Sequence, residues 1–274
     1  MPKGGGPSER RVTDQPRPFR LQPEPNARER AALRDVTRQR AESIFVMDRE
    51  IGQLVQQLKR AGEWDDTVFV FTSDNGYYLG EHRQRDGKVQ PHEPSFRVPL
   101  LVTGPGLRER RTSYDPASTV DLSATLLDLG QAAAPRPADG RSLVPTLYGA
   151  DEGWSTPVLY ESIHSGGRPR DGDPFTSVGV RTARYMYVRR ADGRHMLFDL
   201  ARDPLQNRNV ARAKGYRDEV RALNGVLQQV RDCSGATCQV PLPAGLAVDA
   251  DEAERLGRAY WRVLTRTYGF GAAP

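Results

Sequence analysis

The sequence predicts an α/β fold: a parallel, doubly wound sheet covered by helices, followed by a small antiparallel sheet packed with a helix. Three observations carry this. An apolar stripe of helical period leads directly into a strand. A second strand and a second helix follow in the same rhythm. The second half of the chain then changes to short strands divided by turn residues.

Residues 1–30 are rich in Gly, Pro and Arg and nearly free of apolar side chains, so they are expected to be disordered or loosely laid over the surface. Ile44, Met47, Ile51, Leu54 and Leu58 recur at steps of three and four and line one helical face. Gly62 stops that helix. Residues 67–72 are β-branched and aromatic and read as a buried strand. A long loop over 73–96 leads to a second strand at 97–103 and a helix over 120–129 ended by Gly130. These elements form a first unit, 31–150. In the second unit, 151–274, short strands are expected at 157–160, 177–181, 185–189 and 196–200, with Ala191-Asp192-Gly193 at one turn. A helix carrying Val220, Leu223, Leu227 and Val230 follows, and a last one carries Leu256, Tyr260 and Leu264. No internal repeat is visible.

The chain has 274 residues, with 40 basic against 35 acidic side chains and a net charge of +5. A basic balance favours anionic partners. Nucleic acid is not among those expected: there is no zinc-finger spacing, no aromatic-basic RNA-binding signature and no basic recognition helix. No apolar run approaches the roughly 20 residues of a membrane span, and the first ten residues do not read as a signal peptide. The two cysteines, Cys233 and Cys238, flank Ser-Gly-Ala-Thr. No further metal ligands lie nearby, so a local disulfide is the better reading, with two free thiols as the alternative. A disulfide suggests an extracytoplasmic setting, at odds with the lack of an export signal.

The first strand runs into Ser73-Asp74-Asn75-Gly76. Ligands gather where strands of an open α/β sheet end. A carboxylate beside a carboxamide offers the hard oxygen donors that suit Ca²⁺ or Mg²⁺. The same residues also make an ordinary Asx turn.

Six short motifs follow one another here: Ser73-Asp-Asn-Gly76, Gly80-Glu-His82, Gly87-Lys88, Glu93 with Ser95, Arg97-Val-Pro-Leu100, and Gly104-Pro-Gly106. In that order the succession resembles the sulfatase family, nearest to arylsulfatases and N-acetylglucosamine-6-sulfatases, from about Asp48 to Cys238. The resemblance is to the C-terminal portion only. It implies a remnant of the alkaline-phosphatase-like sulfatase sheet with flanking helices, and Ca²⁺-dependent hydrolysis of sulfate esters. It puts Ca²⁺ on Asp74 and Asn75, in a site incomplete within this chain. It makes Lys88 the group that contacts the sulfate, and gives His82 a part in substrate recognition or proton shuttling. Asn75 also speaks against a two-metal phosphoesterase, where relatives use histidine. His92 and Pro94 depart from the family's usual tyrosine and glutamate, and a proline alters local loop geometry. Glu93 and Arg97 are placed to pair. His164 and His195 are read as structural or as rimming the substrate.

The nucleophile of the family, a formylglycine made from C-x-P-x-R or S-x-P-x-R, has no counterpart here: Cys233 leads Ser-Gly-Ala-Thr and Cys238 leads Gln-Val-Pro-Leu. The chain alone is therefore expected to be inactive, with a sulfated small molecule or glycan as partner only if a missing N-terminal half completes it. The alternatives are a non-catalytic module binding Ca²⁺ or a sulfated ligand, and a phosphoesterase relative. Strands absent from the sheet are expected to leave apolar surface bare.

Overall fold

The computed structural model describes residues 9, 12–85, 87–162 and 177–269. A short turn of helix α1 (Arg17–Arg20) precedes α2 (Ala27–Ala61), a helix of 35 residues, about 52 Å long. Strand β1 (Phe69–Thr72), a short helix α3 (Glu93–Phe96) and strand β2 (Leu100–Thr103) follow. Then come α4 (Thr119–Leu129) and α5 (Val144–Leu147). The second half holds β3 (Val158–Ser162), β4 (Ser177–Arg181), β5 (Tyr185–Arg190) and β6 (His195–Asp199), then α6 (Arg217–Val230) and α7 (Ala250–Tyr268).

The small antiparallel sheet forms as expected, in the order β3-β4-β5-β6. Its two faces are both covered. Val178, Val180, Tyr185, Tyr187 and Leu197 meet Leu223, Val226, Leu227 and Val230 of α6. On the other face Tyr160, Met186, Val188, Met196 and Phe198 enclose Phe19, with Phe96 packed alongside. Alternation along each strand sends successive side chains to these two cores.

Three expectations need correction. The first two strands do not pair in parallel: β1 and β2 are antiparallel, with Phe69 opposite Thr103 and Thr72 opposite Leu100. Parallel pairing needs a crossover, usually a helix, whereas the chain between these strands is a loop carrying only a 3₁₀ turn and one turn of α-helix among its described residues. The long helix begins at Ala27, well before the apolar stripe that opens at Ile44. Asn26 caps it, accepting from the amides of Arg28 (2.9 Å) and Glu29 (3.0 Å) while Glu29 answers on the Asn26 amide (2.8 Å). The expected C-terminal stop is present, with Gly62 at φ 75°.

The third concerns the segment read as loose. Where described, it is anchored: Phe19 is buried in the second core, worth about 1.5–3 kcal/mol. The Asn209 amide donates to Asp14 at 2.7 Å, and Gln15 donates to the Asn207 carbonyl at 3.2 Å. The region from 195 to 209 holds the second unit together. Asp199 binds the guanidinium of Arg184 at 2.8 and 2.9 Å and accepts from the Tyr216 hydroxyl at 3.0 Å. Cys233 and Cys238 are disulfide-bonded, with Cα atoms 5.0 Å apart. Among the described residues no helix is long and apolar enough to cross a membrane.

Candidate functional site

The site is built on the end of β1 and two returns of the following loop. Gly76 donates its amide to the Ser95 carbonyl at 2.7 Å, drawing the Asp74-Asn75 turn against α3. Tyr78 donates its amide to the Gly87 carbonyl at 2.9 Å. Gly87 has φ 92°, a conformation that favours glycine, and its turn delivers Lys88 back toward the strand end. The Lys88 ammonium donates to Asn75 Oδ1 at 2.5 Å and lies 3.7 Å from Asp74 Oδ2. Asp74, Asn75 and Lys88 are thus brought together, on the surface: the Asp74 side chain is 82% exposed and that of Lys88 49%.

The donor set fits a hard cation in kind. One carboxylate and one amide oxygen face the same spot, and an ammonium already rests there. It falls short in number, since Ca²⁺ takes about 6–8 oxygens. Among the described residues no group of three or more His, Cys, Asp or Glu side chains converges on a metal site.

His82 is elsewhere. It is buried at 3% exposure, and its Nδ1 meets Glu9 Oε1 at 2.7 Å. Its ring stacks on His92 at 3.7 Å, and neither its ring contacts nor its ion pair involve Asp74, Asn75 or Lys88. His92 is fully buried, bonded through Nδ1 to the Tyr78 hydroxyl at 2.8 Å and set edge-on to Phe19. His195 is exposed and bonds the Tyr187 hydroxyl, while His164 lies outside the described residues.

Burial holds the His92 imidazole well below its usual 6.5, and the neighbouring His82 and Arg190 add to this. The unfolded chain therefore takes up a proton that the folded one refuses, and stability falls as pH drops through 6.5. Histidine-to-phenylalanine exchange at 92 is expected to flatten that slope between pH 6.5 and 5 in denaturant titrations. An unchanged slope would assign the pH dependence to another group.

Glu93 is the residue whose role the sequence half disclosed. Its carboxylate accepts from Arg97 at 2.9 Å, as expected, and also from Arg181 of β4 at 2.9 Å. Its amide donates to Gln206 Oε1 at 2.6 Å. Pro94 does no harm where it stands, within the first turn of α3, because an amide there has no partner inside the helix.

The model of the N-sulphoglucosamine sulphohydrolase C-terminal family matches residues 80–233, more than half of the chain, and the sulfatase model matches 8–132. The chain belongs to the sulfatase family. It is 31% identical over 239 residues to the N-acetylglucosamine-6-sulfatase of Bos taurus, covering 76% of this chain and 42% of that one. Among solved structures, BT4656 in complex with its substrate D-glucosamine-2-N,6-O-disulfate superposes with a TM-score of 0.67 at 23% identity. That match covers 80% of this chain and 45% of BT4656, and it shows the alkaline-phosphatase-like fold. A phosphonate monoester hydrolase from Silicibacter pomeroyi superposes with a TM-score of 0.60 at 28% identity, over 74% of this chain and 42% of that one. The chain thus spans less than half the length of these relatives.

Proposed function

We propose that this chain supplies the cation-and-lysine side of a sulfate ester hydrolase site, the attacking group lying in polypeptide outside it. The observation that carries the reading is the Lys88 ammonium resting on Asn75 and Asp74 at the carboxyl end of β1. In this reading Asp74 contributes one full charge and Asn75 one neutral oxygen to a Ca²⁺ site whose other ligands come from elsewhere. When bound, the cation supplies Lewis-acid polarisation of a sulfate oxygen and neutralises its charge. Lys88 then turns from Asn75 to the sulfate group and meets the negative charge that grows there, held in place by the Gly87 turn. The substrate class is a sulfated sugar or small sulfate ester. Without a C-x-P-x-R or S-x-P-x-R segment the chain has no formylglycine precursor, so positioning and charge have no nucleophile to act with. The likeness to a phosphonate monoester hydrolase favours a second reading, a phosphonate or phosphate ester at the same oxygens. Asn75, which lacks an imidazole, weighs against a two-metal version of it.

Calorimetry with Ca²⁺ and glucosamine 6-sulfate tests this. Weak binding, in the range of about 10⁻⁴–10⁻³ M, is expected for a partial oxygen site. Asp74→Ala is expected to abolish the Ca²⁺ signal and Lys88→Ala to abolish the sulfated-sugar signal. Equal binding by all three proteins would sink the assignment. Cleavage of an aryl sulfate by the purified chain, well above a Lys88→Ala control, would overturn the claim that the nucleophile lies outside it.

A further inference from the structure

Nine consecutive residues of α2, from Glu42 to Glu50, are exposed. Four of them are large and apolar: Ile44 (59%), Phe45 (63%), Val46 (56%) and Met47 (40%). Leu54, on the stripe read from the sequence, is also bare at 46%. Along its 35 residues α2 buries one side chain, Leu33. An amphipathic helix draws most of its stability from packing that face, and soluble proteins rarely leave apolar patches above a few hundred Å² open.

The two-stranded sheet that follows it in the chain is equally unfinished. β1 and β2 form a two-stranded ribbon, so among the described residues each has one unpaired edge. On one face Val70 and Val102 line a cleft with Leu122, Leu126 and Leu129 of α4, and Leu126 stays 57% exposed. On the other, Leu101 is 62% exposed. A two-stranded ribbon is marginal in water by itself, and an open edge invites another strand.

We propose that the apolar stripe of α2 and the open edges of β1–β2 form one docking surface. Its occupant is a strand-bearing α/β polypeptide carrying the part of the sulfatase fold that this chain does not span. The matched relatives say how much polypeptide this chain does not span. This chain covers 42% of the bovine sulfatase and 45% of BT4656, so more than half of each is polypeptide with no counterpart among the 274 residues. The chemistry fits that occupant. Main-chain edges select an incoming strand, and the aliphatic stripe of Ile44, Met47 and Leu54 selects an apolar sheet face over a charged or small-molecule ligand. The proposal rests on the sulfatase-half reading above and adds the surface by which the halves meet.

The test mixes the full chain with the portion of the bovine N-acetylglucosamine-6-sulfatase left after its matched stretch is removed. Sedimentation velocity reads the complex and hydrogen exchange reads α2, β1 and β2. The expected result is a one-to-one complex with slowed exchange in all three elements, weakened about tenfold or more by Ile44→Glu or Leu54→Glu. Both side chains are exposed, so these variants are expected to keep the wild-type circular dichroism spectrum. Absence of a complex overturns the proposal. So does a complex indifferent to both substitutions, or a homodimer of this chain that the same substitutions dissolve. Docking failure with Ca²⁺ binding intact removes the surface alone; lost Ca²⁺ binding with docking intact removes the site reading alone.

Discussion

Glu93→Ala is expected to cost about 3–5 kcal/mol of folding stability, read from denaturant midpoints at pH 7. Its carboxylate is 4% exposed and lies 2.9 Å from both Arg181 and Arg97. Removing it leaves Arg181, itself buried, facing a vacant partner position in low dielectric, and that unpaired charge is the larger part of the cost. The loss also has a structural reach. Arg97 stacks its guanidinium over the rings of Tyr260 (4.7 Å) and Trp261 (5.3 Å) of α7. One carboxylate therefore ties the loop beside the candidate site to β4 and, through Arg97, to α7. Burial pushes the Glu93 carboxyl up, but Arg181 and Arg97 together hold it at about 2 against a usual 4.5. The folded protein thus keeps the carboxylate ionised where the unfolded chain would be protonated. Its contribution is fully present above pH 4.5 and is lost as pH falls toward 2. Glu93→Gln, which keeps the shape and removes the charge, should lose that acid-side dependence. A variant as stable as wild type would show that the two arginines find water instead.

What the sequence disclosed and what it hid divide along the range of the interactions. The strand ending in Asp74-Asn75, the Gly87 turn before Lys88 and the Arg97–Glu93 pair are local patterns, written within a few residues of one another, and each was legible. The short strands of the second unit were legible for the same reason, since alternation and turn residues act locally. Arg181 on Glu93 was not: the two are 88 positions apart, and no spacing rule reaches so far. Glu9 on His82, across 73 positions, was hidden likewise, so the histidine that the resemblance gives a part in substrate recognition or proton shuttling is instead buried against Glu9. The early start of α2 was available in principle. Asn26 and Glu29 form a capping box, but the turns behind it are charged and give no apolar stripe, so the period that locates helices begins only near Ile44. The antiparallel pairing of β1 with β2 was missed because a β-α rhythm suggests crossovers. The loop between the strands carries only a 3₁₀ turn and one turn of α-helix among its described residues, too little for one.

The second large effect is expected at Gly76, and it connects stability to the site. A Cβ added there would sit 2.1 Å from the Pro94 carbonyl oxygen, 2.9 Å from its carbon and 3.0 Å from the Ser95 carbonyl carbon. All three atoms are main chain, and Pro94 belongs to α3, whose Glu93 is fixed by two arginines. The clash therefore cannot be relieved by a side-chain rotation; the strand end must lift away from α3. Lifting breaks the 2.7 Å bond from the Gly76 amide to Ser95 and displaces Asn75, the adjacent residue. Gly76→Ala is expected to lower stability by about 2–3 kcal/mol, in the range of overpacked interiors. It is also expected to part Asn75 from Lys88. Lys88→Ala supplies the contrast, because a half-exposed lysine in a surface ion pair contributes little to folding. Thermal melts should separate the two variants widely, while calorimetry with Ca²⁺ and the sulfated sugar should find both impaired. A Gly76→Ala protein that melts lower yet binds as wild type would mean that Asn75 keeps its place without the close approach to α3, and the loop would have to be held by Tyr78 and Gly87 alone.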